Sequence, residues 1–197
     1  MSLTQCLKSL GFIIKPVSLL IFSFFFDRKY LTGRFFDPRY AGYFWALKAI
    51  WQKNILRLER PMPWPTGLTC VVSDPKNIDF HPDDLNNFQS PGTYFQNFAG
   101  RIRLGKGVYI APNVGIITAN HDTRNLDEHL EGRDVVIGER CWIGMNSVIL
   151  PGVTLGPGTI VAAGSVVTRS FPQGGVVVAG VPAKVVKQIE SKTDEVS

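Results

Sequence analysis

The chain has 197 residues, 45% of them hydrophobic, with 21 Lys/Arg against 16 Asp/Glu and a net charge of +5. That length supports one main domain with a short appendage and excludes two large ones. Cys6, Cys70 and Cys141 show no CxxC pairing and no even disulfide framework, which suits a reducing compartment.

Charge is unevenly placed. Through Arg60 there are ten Lys/Arg against three Asp/Glu, or +7, and the rest of the chain carries eleven against thirteen, or −2. A basic, aromatic-rich first third on a near-neutral body points to an anionic surface for that third. No nucleic-acid motif accompanies the charge, so nucleic acid is not the expected partner.

Residues 1–60 read as a hydrophobic, basic helical region. Leu10 to Phe26, LGFIIKPVSLLIFSFFF, is broken by Lys15-Pro16 and closed by Asp27-Arg28-Lys29. A spanning helix needs about 20 apolar residues, so the segment is too short and interrupted for a span, and no small-x-small site marks a cleaved leader. It is expected to lie in a membrane face, or to pack on the protein's own core or on a sister subunit. Arg39 to Leu58 places Tyr40, Tyr43, Phe44, Leu47, Ile50, Trp51, Ile55 and Leu58 at helical spacing, predicting an amphipathic helix. PMPWPTG, 61–67, breaks it and marks the start of the body, 61–197.

The body repeats every six residues. Phe98, Leu104, Ile110 and Ile116 form one run, and Ile137, Ile143, Ile149, Leu155, Val161 and Val167 a second. Four positions after each lies a smaller series: Ile102, Val108, Val114 and Asn120, then Cys141, Ser147, Val153, Thr159 and Ser165. A period of six is neither 3.6 nor two, and it fits short strands joined by tight corners in a parallel β-helix. The step from Ile116 to Ile137 is twenty-one, so a loop over about 120–135 interrupts the coil. Breaks in a regular scaffold are where function is usually placed.

IGERCWIGMNSVILPGVTLGPGTIVAAGSVVT followed by VVVAGVPAKVVKQI resembles the hexapeptide-repeat acyltransferases, in particular the galactoside, maltose and capsular-sugar O-acetyltransferases. The likeness covers about Tyr94 to Ile189. It implies a mainly β protein built on a left-handed parallel β-helix, working as a homotrimer with acetyl-CoA as donor, a saccharide hydroxyl as acceptor and no metal. Together with the first sixty residues it gives a cytoplasmic protein expected at the inner face of the cytoplasmic membrane, with a lipid-linked glycan as acceptor.

His121, directly after TAN, matches the catalytic base of that family. Imidazole suits the task because it titrates near neutrality and can take a hydroxyl proton as the oxygen attacks a thioester. Its orienting acceptor is left open among Asp122, Asp127, Glu128 and a backbone carbonyl. His129 is read as a surface residue of the loop and His81 as turn-associated. Asn97 matches an acceptor contact, or is a corner residue; Trp142 would flank the site and is expected to bind the acceptor too. The resemblance places Gly144, Ala163, Gly164 and Thr168 along the CoA groove, and Lys184 and Lys187 at its phosphates, on a short C-terminal helix opened by Pro182. Met145 stands where some relatives carry a small polar residue.

Three other readings stay open. Acceptors with an amine, such as amino acids or amino sugars, would use the same coil. A non-catalytic scaffold of a glycan-assembly complex would not need the TANH sequence. A three-histidine zinc site would need His81, His121 and His129 to converge.

Overall fold

The computed structural model describes residues 15–37 and 41–189. The chain divides into two compact units, Met1–Leu68 and Thr69–Ser197.

In the first unit, a helix over 15–22 (α1) is followed by a 3-10 turn at Arg28–Tyr30 and a helix at Ala41–Ala49 (α2) that continues as a π-helix at Ile50–Ile55. Residues 10–14 of the apolar segment, and Arg39 and Tyr40 of the expected amphipathic helix, lie outside the described residues. The core of this unit is aromatic. Trp64 is fully buried edge-on to Tyr30 at 5.1 Å, and Tyr43 meets Phe22 at 5.9 Å and Phe36 at 5.3 Å. Gly42 makes that possible: a Cβ there would lie 2.7 Å from the Phe36 ring.

The expected amphipathic helix is not seen: α2 is apolar nearly all round, with little segregation of polar and apolar faces. Small residues, Gly42, Ala46 and Ala49, face inward, while Phe44, Leu47, Trp51, Ile55 and Leu58 are exposed. Val17, Leu20, Ile21 and Phe24 of the first helical stretch are exposed too. Among the described residues no helix is long and apolar enough to cross a membrane.

The second unit is a three-faced coil. One sheet runs β1 (Val71–Val72), β3 (Tyr94–Gln96), β6 (Gly115–Ile117), β9 (Val148–Ile149) and β12 (Val166–Val167), all parallel. The second face orders β2 (Ile78–Asp79), β4 (Ile102–Leu104), β7 (Val135–Ile137) and β10 (Thr154–Leu155). A third holds β5 (Tyr109–Ile110), β8 (Trp142–Ile143), β11 (Ile160–Val161), β13 (Val176–Gly180) and β14 (Ala183–Gln188).

Paired strands in the regular coils stand eighteen residues apart, as Trp142 with Ile160 and Val148 with Val166. That is three repeats of six per turn, the geometry the spacing predicts. Leu104, Ile110, Ile116, Ile137, Ile143, Ile149, Leu155, Val161 and Val167 all point inside and are buried. Each contributes about 1.5–3 kcal/mol of burial, so the stack is the main source of stability.

The smaller series is buried beside it, and its polar members satisfy the corners. Ser147 Oγ donates to the Gly144 carbonyl at 2.6 Å and Thr159 Oγ1 to that of Gly156 at 2.7 Å. Cys141 Sγ reaches the Gly156 carbonyl at 3.2 Å, and burial pushes its thiol pKa up despite hydrogen bonds from Thr159 that lower it. The thiolate is therefore scarce, and Cys141 is expected to resist iodoacetamide in the native protein and to react fully in denaturant, as read by peptide mass mapping.

Three expectations are corrected. Phe98 is 44% exposed and outside the stack; Phe95, fully buried, fills its rung. Asn120, in the smaller series, is likewise exposed, because the chain leaves the coil there. The expected C-terminal helix is a strand: Ala183–Gln188 runs antiparallel to Val176–Gly180, turning at Val181-Pro182. Val185 and Val186, β-branched, disfavour a helix, and the hairpin covers the free edge of β13.

Candidate functional site

The loop leaves the coil after β6 and returns at β7. Across it, ladder partners stand thirty-three residues apart, as Ile102 with Val135 and Gly115 with Val148, against eighteen in the regular coils, so fifteen residues (33 − 18) are inserted.

Its exit is fixed by Gln96. The Gln96 Oε1 accepts from the backbone N–H groups of Thr118 and Ala119, each at 3.0 Å, while its Nε2 donates to the Ala119 carbonyl at 3.0 Å. One amide side chain thus grips the backbone two residues before His121. The return strand is held by the Arg133 N–H donating to the Thr118 carbonyl at 2.8 Å. Gly132 permits the crossing, since a Cβ there would overlap the Ala99 carbonyl.

Within the loop, His121 and His129 face each other across an antiparallel bridge, flanked by Leu130 N–H donating to Asn120 O at 2.8 Å and Asp122 N–H to Glu128 O at 2.9 Å. Their rings stack at 4.2 Å, tilted by 36°, and Phe98 packs edge-on against His129 at 5.0 Å. Phe98, turned out of the coil, thus belongs to the wall behind the histidines.

His121 Nδ1 lies 2.8 Å from the carbonyl oxygen of Leu126. A carbonyl only accepts, so Nδ1 carries the proton and donates it, leaving the Nε2 lone pair as the acceptor of the neutral ring. The orienting group is thus a backbone carbonyl. Asp122 serves the loop instead, its Oδ1 accepting from the Arg124 N–H at 2.8 Å. His121 is exposed, and a substrate can approach it.

Asn97 is fully buried. Its Oδ1 accepts from the Asp74 N–H at 2.9 Å and its Nδ2 donates to the Asp74 carbonyl at 2.6 Å, so both amide atoms are committed to a corner and neither is offered to an acceptor. His81 caps a 3-10 helix, its Nδ1 accepting from the Asp83 N–H at 3.1 Å. Among the described residues no three His, Cys, Asp or Glu side chains gather in a way that would hold a metal ion.

The expected donor residues fall into three groups. Gly144, Ala163 and Gly164 share one column of corners, where the Gly144 N–H donates to Val161 O and Gly164 N–H to Met145 O, both at 2.8 Å. Gly144 faces the next rung, since a Cβ would lie 2.6 Å from the Ala163 nitrogen, whereas Ala163 and Gly164 are exposed and a Cβ on Gly164 would meet open space. Thr168 follows β12, at the corner column that carries the His121 loop after β6. Trp142, 53% exposed, lies on an outward ladder with Ile160, Val177 and Lys187.

Lys184 and Lys187 keep a common face by an unexpected route. An odd spacing would put them on opposite faces of a regular strand. The bulge between Val177 and Val178 pairs Lys184 with Ala179 and Lys187 with Val177, two apart, which restores one side.

Sequence reasoning singled out His121 but not what surrounds it. Gln96, Phe98, His129 and the Leu126 carbonyl become neighbours only through the fifteen-residue insertion, and no spacing rule links them.

Residues 134–169 match the family model for the bacterial transferase hexapeptide (six repeats). The chain is 36% identical over 94 residues to the galactoside O-acetyltransferase of Escherichia coli K12, covering 46% of this chain and 45% of that protein. It is 52% identical over 60 residues to the 2,3,4,5-tetrahydropyridine-2,6-dicarboxylate N-acetyltransferase of Clostridium perfringens SM101, covering 30% and 25% respectively. Among solved structures, a hexapeptide-repeat acetyltransferase from Vibrio cholerae O1 biovar eltor in complex with acetyl coenzyme A aligns at 34% identity over 47% of this chain and 51% of that one, with a TM-score of 0.44. The chain spans about half the length of the curated relatives it matches. The sixfold repeat and the three-faced coil it builds give the second unit the fold of a left-handed parallel β-helix, and residues 134–169 within it match the bacterial transferase hexapeptide family model.

Proposed function

We propose that the protein is an acetyltransferase that moves the acetyl group of acetyl-CoA to a hydroxyl of a saccharide. The observation that carries this reading is the fixed tautomer of His121, with Nδ1 donating to Leu126 O and Nε2 left as a base on an exposed loop. In the reaction, Nε2 takes the acceptor's hydroxyl proton as its oxygen forms a bond to the thioester carbonyl carbon. The tetrahedral intermediate then expels the CoA sulfur, which receives that proton, so charge and atoms balance without a covalent enzyme intermediate. The small exposed corner at Ala163 and Gly164 fits the approach of a pantetheine arm, and Lys184 and Lys187 supply cations for its phosphates.

His129 acts here as a positioning residue. A stacked aromatic pair is worth about 0.5–1.5 kcal/mol. His129→Ala is therefore expected to lower kcat/KM by about two- to tenfold through kcat, with His129→Phe restoring most of it, in steady-state assays of thiol release. Loss in both variants alike would deny the stacking role.

The acceptor is proposed to be a membrane-associated glycan precursor of the capsular, exopolysaccharide or lipopolysaccharide type. The enzyme is proposed to be a homotrimer at the inner face of the cytoplasmic membrane. The exposed apolar residues of the first unit and its +7 charge support the membrane part. The test is thiol release from acetyl-CoA with a panel of sugars, amines and membrane glycolipid extract. Transfer to amines alone would replace the hydroxyl reading, and a protein that binds no CoA would be a scaffold.

A further inference from the structure

At the end of the π-helix the chain forms a cavity of about 500 Å³, lined by Lys53, Asn54, Arg57, Glu59, Arg60 and Pro61. Three cations against one carboxylate give the lining a net +2. Lys53 is only 2% exposed and already engaged within the protein, so the cations that the lining presents to solvent are Arg57 and Arg60.

The backbone here is specialised. Arg57 adopts φ +52, the left-handed region that arginine rarely enters, and strained residues of this kind cluster at ligand clamps. A π-helical turn is likewise frequent at functional sites. Helix C-terminal carbonyls would ordinarily repel an anion, but Trp51 O and Gln52 O already accept from the Leu56 and Leu58 N–H groups at 2.9 and 3.0 Å.

The same segment carries the exposed apolar stripe. Trp51, Ile55 and Leu58 are each more than half exposed and alternate in sequence with the lining residues. A ligand that matches both features has a phosphate beside an alkyl chain. A second copy of this chain is a poor occupant, because its first sixty residues bring the same +7.

We infer that this cavity is a phosphate site for an anionic lipid headgroup, with Trp51, Ile55 and Leu58 entering the acyl boundary beside it. The inference rests on the membrane-surface part of the proposed function and adds to it a defined headgroup site. It is independent of the acetyl-transfer step.

The test is co-sedimentation of the full chain with vesicles of phosphatidylcholine alone or mixed with phosphatidylglycerol. The variant is Arg57→Gly/Arg60→Gln; glycine adopts the left-handed backbone without strain, which protects folding, and thermal unfolding checks it. A surface cation contributes about a fivefold gain at an anionic leaflet, so losing two should weaken partition to the mixed vesicles by about thirty-fold. Binding to phosphatidylcholine alone should be unchanged, and high salt should erase the wild type's preference for the mixed vesicles.

Equal binding of wild type and variant to the mixed vesicles would overturn the phosphate site while leaving membrane contact standing. No partition of the wild type to either vesicle would overturn the membrane reading and the site with it. Calorimetric titration with inorganic phosphate separates the sources: binding of phosphate that the variant loses, without any preference for phosphatidylglycerol, would assign the cavity to a soluble ligand and overturn the lipid assignment.

Discussion

His121→Ala is expected to lower kcat/KM for acetyl transfer by about 10²- to 10⁴-fold, the usual contribution of a general base, while leaving the fold and CoA binding intact. The side chain is exposed on the loop, hydrogen-bonded to Leu126 O and stacked on His129, so truncation costs the fold little beyond that bond and that ring contact. The loop keeps its shape through backbone bonds that do not involve the imidazole, such as Leu130 N–H to Asn120 O. His121→Asn is a sharper variant, because its amide can still donate toward the Leu126 carbonyl but offers no base. If Nε2 is the base, both variants should fall together. The measurement is thiol release with the best acceptor, alongside CoA titration and thermal unfolding. Transfer within threefold of wild type in both would remove the base from this histidine and point to water or another group as the proton acceptor.

The coil was legible because a period of six leaves almost no alternative, and nine of its inward positions are where the count puts them. The failure at Phe98 has a local cause. Tyr94 pairs with Gly115, a step of twenty-one rather than eighteen, so the corner after β3 holds three extra residues and the inward side chain is Phe95. Counting backwards from Leu104 crosses that corner unaware.

The C-terminal hairpin was read as a helix opened by Pro182, whereas a β-bulge puts the two lysines, three apart, on a common side of a strand. His121 stood out as a candidate through its motif, but the ring on which it stacks did not. His129 lies eight residues away in a loop with no repeat, and only the antiparallel bridge brings the two together. In the first unit the apolar spacing was visible, yet spacing does not say which face is inside. The buried face carries the small residues Gly42, Ala46 and Ala49, and at Gly42 the Phe36 ring leaves no room for a larger one.

The largest stability effect is expected at Ile149→Asp, which should leave no cooperative unfolding transition near that of the wild type. Ile149 is fully buried at the centre of a rung, with Ile116 on one side and Val167 on the other in register. Losing the isoleucine costs about 2–5 kcal/mol by analogy with large-to-small core changes. A carboxylate in the same place adds several kcal/mol, whether it ionises without a partner or is forced to remain protonated. Together these approach the 5–15 kcal/mol that holds a typical domain. A solenoid concentrates the damage, because each rung is stabilised only by its neighbours, and the rung below Ile149 already carries the fifteen-residue insertion. Ile149→Val, which keeps the branched shape, should cost only about 0.5–1.5 kcal/mol. Circular dichroism during thermal and urea unfolding compares the three proteins. A soluble Ile149→Asp protein melting within a few degrees of wild type would mean that this position faces solvent and that the inward assignment of the coil is wrong.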